Sequence, residues 1–370
     1  MKNILNIFSI SLLLTIALLS CNSVNKENKH LAISPEDQID YPLFDQYLTK
    51  LNNFSGNVLV ALDGTPIFKK SYGYANIELD VKNTSQTKFR IGSITKQFTS
   101  MAIMILQEQG KINVTDKLSV YISDVPEIWK KITIHQLLTH TSGIMHSWEL
   151  EGFSENMMLH TPIDEIIDKF KDQPLVGYPG EKFHYSGTGY FILSSVIEKV
   201  SGKSYEAFLK EDIFDKVGML YSGSDVPDKI IHDRAAGYVS DSTGTYNSTY
   251  IFMPILTGGG NLYSTTGDLL IWDQSLSNNT LISKESKEQM FTTELNNYAY
   301  GWGIVKSDSI YITSHTGGVP GSLARIDRYP NEGILVVILS NNTRSTNPEI
   351  RGDFSDLVLE ELRKTGYNTK

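Results

Sequence analysis

Three serine–lysine pairs have the spacing Ser-x-x-Lys, which on a helix brings an amine within reach of a hydroxyl: Ser23/Lys26, Ser85/Lys88 and Ser93/Lys96. Context separates them. The first two lie in polar stretches, whereas Ser93 opens a pattern in which Ile94, Phe98, Met101 and Ile105 fall on one helical face, widened by Ala102 and Leu106. The periodicity predicts a buried helix over 93–109, with Gly110 as its C′ stop. A serine in the first turn has free backbone N–H groups and the positive end of the helix dipole beside it, both suited to an oxyanion. A lysine held in a dry core near that dipole is expected to have its pKa lowered, and a neutral amine takes the serine proton. This is the chemistry of acyl transfer through a covalent serine. The competing reading makes Ser93 a helix cap and Lys96 a snorkelling surface residue.

Four further segments follow Phe89-Arg90-Ile91-Gly92-Ser93-Ile94-Thr95-Lys96 in one order. They are Leu137-Leu138-Thr139-His140-Thr141-Ser142-Gly143, Tyr185-Ser186-Gly187-Thr188-Gly189-Tyr190, Gly259-Gly260-Asn261-Leu262-Tyr263-Ser264 and His315-Thr316-Gly317-Gly318. Together they resemble the serine β-lactamase-related family of class C β-lactamases, D-alanyl-D-alanine carboxypeptidases and related esterases and aminopeptidases. The resemblance spans about residues 40–345. It implies Ser93 as nucleophile, Lys96 as its partner, Tyr185 as second general acid/base and His315 at a position often held by lysine. It also implies an oxyanion hole from the N–H groups of Ser93 and Gly318, with Gly187, Thr316 and Gly317 along the substrate. No cofactor is implied. Two departures bear on substrate. Gly187 stands where the family often has an asparagine amide, and His315 replaces a permanent cation. An imidazole near its reference pKa of about 6.5 is mostly neutral at physiological pH and binds a carboxylate poorly. Ester or amide substrates without that carboxylate therefore gain weight over β-lactams and D-amino-acid peptides. The rivals are a true β-lactamase and a catalytically weak peptidoglycan-binding lipoprotein.

The elements that must position these residues can be read around them. Gly56–Leu62 and Pro66–Tyr74 flank Asp63-Gly64 as a hairpin. Helices are expected over 133–140, 162–172, 188–200, 204–214 and 266–276, then strands Tyr300–Val305, Ser309–Thr313, Leu323–Tyr329 and Ile334–Leu339, then a helix over 347–364. Ser34-Pro35-Glu36-Asp37 reads as a helix start that Pro42 would interrupt, making Asp40 an alternative cap. The expected fold is α/β (α+β): an antiparallel sheet from both chain ends (35–92 and 300–370), flanked by helices, with a mostly helical domain inserted at 93–299, the β-lactamase/transpeptidase-like arrangement.

The remaining sequence narrows the setting. A net charge of −9 argues against nucleic acid as a partner. One cysteine excludes an intrachain disulfide, and His135, His140 and His146 match no metal-ligand spacing, so no metal is expected. That cysteine, Cys21, ends an apolar run from Ile4 to Leu19 and looks like the lipidated residue after a lipoprotein signal at 1–20, with 21–34 as a tether. An uncleaved N-terminal anchor is the alternative. Either way the chain is expected in a bacterial cell envelope, tethered to membrane on a periplasmic or outer surface. Lys364-Thr365-Gly366 reads as a helix stop, Gly258-Gly259-Gly260 as backbone that approaches the site closely, and the Tyr300/Trp302 pair as core.

Overall fold

The computed structural model describes residues 41–51, 54–307, 310–343 and 352–364. The leader, Cys21, Ser23/Lys26, the tether, Asp40, Ser309, 347–351, Thr365 and Gly366 lie outside the described residues. Both ends of the chain build one antiparallel sheet: β1 (Gly56–Leu62) and β2 (Thr65–Tyr72) from one end, and β3 (Gly303–Ser307), β4 (Ile310–Val319), β5 (Ser322–Tyr329) and β6 (Ile334–Ser340) from the other. Their order is β3-β4-β5-β6-β1-β2, so β6 and β1 are neighbouring interior strands, with Val60 opposite Val336. The hairpin turn has positive φ at both Asp63 (46°) and Gly64 (74°), the type I′ geometry that suits strand twist.

Six helices matter for the site: α1 (Pro42–Lys50), α2 (Thr95–Glu108), α3 (Ile134–Leu138), α4 (Gly187–Ser201), α5 (Thr266–Leu276) and α6 (Asp353–Lys364). Side-chain alternation along the central strands sends two apolar sets to opposite faces. Val58, Val60, Val336 and Ile338 pack with Phe44 of α1 and Phe354 and Val358 of α6. Leu59, Ala61, Leu335, Val337 and Leu339 join the larger core that holds Phe98 of α2 and Trp272 of α5. Among the described residues no helix is long and apolar enough to cross a membrane.

Local differences from expectation have physical causes. Pro42 does not interrupt a helix but starts one, at the first position after Tyr41, where its missing N–H costs no bond. The expected 204–214 helix is α-helical only over Tyr205–Leu209 and widens into a π turn at Lys210–Phe214. Strand β3 begins at Gly303, after Gly301 at φ 79°, because Tyr300 and Trp302 are buried in the core. Strand β4 runs on to Val319 and carries His315 to Gly318 within the sheet, opposite Ile326 to Leu323 of β5.

Candidate active site

Ser93 lies in a 3₁₀ turn, Gly92–Ile94, that runs straight into α2 rather than in the α-helix itself. Gly92 has φ 50°, and a Cβ there would lie 2.5 Å from the Gly318 nitrogen. Glycine at 92 therefore serves both the left-handed turn and the close approach of β4. Every residue from Thr95 to Leu106 is buried, so the first turn of α2 is fixed from all sides. Lys96, 2% exposed, donates from Nζ to Ser93 Oγ at 3.1 Å and to the Gly259 carbonyl at 2.8 Å. Its ammonium also stands over the rings of Tyr185 (5.0 Å) and Tyr190 (5.5 Å). Snorkelling to solvent is thereby excluded. The Gly258-Gly259-Gly260 backbone does approach the site: Thr99 donates to the Gly258 carbonyl at 2.6 Å, and a Cβ on Gly258 would meet the Tyr190 carbonyl at 2.3 Å.

Strand β4 closes the other side. A Cβ on Gly317 would lie 1.9 Å from the Ile91 carbonyl and 3.0 Å from the Ser93 nitrogen. Gly317 is buried, so its part is to let β4 lie against the serine turn, while Thr316 and Gly318 are exposed beside it. The N–H groups of Ser93 and Gly318 thus belong to two backbones in close apposition.

Tyr185 precedes α4 and is held by backbone rather than by its hydroxyl. His140 accepts from the Ser186 N–H at Nδ1 (3.1 Å) and, through its carbonyl, from the His184 N–H (2.8 Å), bracketing Tyr185. The two rings lie 4.2 Å apart. Ser186 caps α4 by accepting from Gly189 N–H and donates to the Met145 carbonyl. His140, singled out in the sequence only as an unsuitable metal ligand, is therefore the residue that seats the phenol.

His315 is 6.4 Å from Tyr185, ring to ring, yet both its nitrogens are engaged elsewhere. Nδ1 lies 2.6 Å from the Thr316 carbonyl, which only accepts, so Nδ1 carries the proton. Nε2 then accepts from the Tyr298 hydroxyl at 2.9 Å. Burial first, and the Lys96 charge second, lower its pKa to about 4. The expectation of a titration near 6.5 is corrected accordingly: the imidazole stays neutral well into the acid range. Burial also raises the Tyr298 phenol well above its ordinary value and keeps it a donor. Tyr298 was invisible in the sequence, since it sits 17 residues from His315 with no helical or strand spacing between them.

The other candidates separate cleanly. Lys88 donates to the His232 carbonyl, a partner far along the chain. Lys364 ends α6 and pairs with Glu360 and Glu361. His135 bonds Tyr300 and Glu294. Gly187 is buried as the first residue of α4, with His146 and Ser147 in the space a side chain would take.

The beta-lactamase family model matches residues 43–359. Penicillin-binding protein 4* of Bacillus subtilis is 32% identical over 334 residues, 82% of this chain and 71% of that protein. A teichoic acid D-alanine hydrolase of Staphylococcus aureus is 26% identical over 348 residues, covering 89% of this chain and 80% of its own. The crystal structure of a penicillin-binding protein from Bacillus halodurans superposes with a TM-score of 0.76 at 26% identity, over 86% of this chain and 99% of that one.

Proposed function

Because the chain belongs to the beta-lactamase family and is a serine hydrolase, we propose that it cleaves an amide or ester through an acyl-Ser93 intermediate, on substrates whose leaving side lacks a carboxylate. The observation that carries this reading is the 3.1 Å contact between Ser93 Oγ and the buried Lys96 Nζ, with the Tyr185 ring against the same ammonium. Ser93 Oγ bonds the carbonyl carbon while its proton passes to the Tyr185 oxygen, the member of the Lys96–Tyr185 pair that lacks a proton when Lys96 is charged. The carbonyl electrons move to the oxygen, toward the N–H groups of Ser93 and Gly318. As the tetrahedral species collapses, the leaving group departs with that proton from Tyr185. Water repeats the sequence on the acyl-serine and frees the acid. His315, neutral and doubly bonded, offers no cation to a substrate carboxylate, which weighs against a true β-lactamase.

A fluorophosphonate is expected to label wild type once, on Ser93, and to leave Ser93→Ala unlabelled by intact mass. An unlabelled wild type supports the binding-protein rival instead. The relatives are bacterial proteins with cell-wall names, in keeping with work in the envelope, and we place the chain there by a lipid on Cys21. Incorporation of a labelled fatty acid that persists in Cys21→Ser would remove that anchor from consideration.

A further inference from the structure

The missing side chain at position 187 leaves a specific vacancy, and the structure fills it. A Cβ on Gly187 would lie 3.3 Å from His146 Cε1 and 3.3 Å from Ser147 Oγ, tighter than ordinary contact. An asparagine there would displace them. The His146 ring stands 5.5 Å from the Tyr185 ring, and the sheet residue His315 stands 6.4 Å from the same ring.

The hydrogen bonds of His146 fix its tautomer. Its Nδ1 accepts from the Trp148 N–H at 3.2 Å, a group that only donates, and lies 3.2 Å from the Ser147 hydroxyl. Nε2 therefore carries the proton, and among the described residues it has no hydrogen-bond partner. The backbone beneath is pinned as well: the His146 N–H donates to Glu149, whose carboxylate is also bonded by His184. Charged and titratable neighbours are thus Lys96, Glu149, His184, His140 and Tyr185. Burial and the Lys96 charge outweigh Glu149 and lower the His146 pKa to about 4, so the ring remains a neutral donor at physiological pH.

We propose that His146 Nε2–H takes the place of the absent amide and donates to a carbonyl oxygen on the acyl side of the substrate, so that the site prefers N-acylated acyl groups over those with a free α-ammonium. This specificity rests on the acyl-Ser93 reading above. A carboxamide donates and accepts, whereas this imidazole only donates. A free ammonium placed beside it meets a donor and shares the region with the Lys96 charge, while an acyl carbonyl meets the one group that satisfies it.

The test compares p-nitrophenyl N-acetylalaninate with p-nitrophenyl alaninate, in both enantiomers, and protection of Ser93 from fluorophosphonate by N-acetylalaninamide against alaninamide. Wild type is expected to favour the acetylated member of each pair. In His146→Ala the KM advantage should shrink by about tenfold, the worth of one neutral hydrogen bond, with the fluorophosphonate adduct on Ser93 still formed. His146→Gln should retain the preference. His146→Ala with Gly187→Asn should regain it, because the amide then has room. A wild type that labels but shows no acyl preference, or a preference untouched in His146→Ala, overturns the proposal alone. A wild type that does not label overturns the acyl-serine reading and this specificity with it.

Discussion

At the scale of single residues, the site contains one buried lysine, the tyrosines Tyr185, Tyr190 and Tyr298, and three imidazoles, each imidazole held neutral for an identifiable reason. His140 is wholly enclosed and its pKa lies well below 6.5 through burial, with Lys96 next in weight. His146 and His315 are lowered to about 4 by the same two causes in the same order. The hydrogen bond from Tyr298 to His315 Nε2 adds to this, because a donor at that nitrogen favours the unprotonated ring. Tyr298→Phe should therefore raise the His315 pKa toward 6.5 and free Nε2–H for a substrate carboxylate at mildly acid pH. The expected result is a KM for carboxylate-bearing esters that falls between about pH 7 and 5 in Tyr298→Phe, while wild type stays flat over that range and neutral esters respond alike in both. The ¹⁵N shifts of His315 report the same change without turnover. A flat profile in the variant would show that Tyr298 does not govern this imidazole.

At the scale of elements, catalytic geometry comes from strand β4 lying against the turn that starts α2, and that approach depends on absent side chains. Gly317→Ala would place a methyl 1.9 Å from the Ile91 carbonyl, a distance that only backbone movement relieves. On the proposed acyl-serine reading, moving β4 outward withdraws the Gly318 N–H from the place where the oxyanion would form. Loss of one such donor costs on the order of 10²–10³ in kcat, so Gly317→Ala is expected to lower acylation by about that factor with Ser93 and Lys96 still present. Unchanged single-turnover acylation would mean that Gly318 is not a donor to the oxyanion. This level of organisation was only partly legible in the sequence. The α2 periodicity from Ile94 to Ile105 and the Asp63-Gly64 turn are local signals and emerge as read. The length of β4 is not local. Gly317 and Gly318 have poor strand propensity and are kept extended by pairing with Ala324 and Leu323 of β5. Tyr298 escaped notice, and His146 was weighed only as a metal ligand, for the same reason, since their partners are supplied by chain far away or by space left at Gly187.

At the scale of the whole molecule, the sheet from both chain ends supplies β4, and the segment between supplies α2, Tyr185 and the glycine run, so folding brings one ammonium and three imidazoles into a shared low-dielectric region. That arrangement has a cost in acid. Each imidazole has a folded pKa below its unfolded value of 6.5, about 4 for His146 and His315 and, through burial first, well below 6.5 for His140. Between about pH 6.5 and 4 the unfolded chain thus binds more protons than the folded one, and stability must fall as pH falls through that window. The slope is on the order of 1 kcal/mol per pH unit for each imidazole, moderated by the partial exposure of His146 and His315. Carboxylates with lowered folded values, such as Asp45 and Asp212, lose their contribution only as pH drops below their unfolded value of 3.8, outside most of this range. Urea midpoints measured at about pH 7 and 5 should therefore decline for wild type, and decline less for His146→Gln and for His315→Gln, which remove one titrating ring each. Lys96→Met should also flatten the decline, because the charge that helps hold all three rings neutral is gone. Parallel declines in wild type and all three variants would place the acid sensitivity elsewhere in the fold and break the link between the catalytic lysine and its surrounding imidazoles.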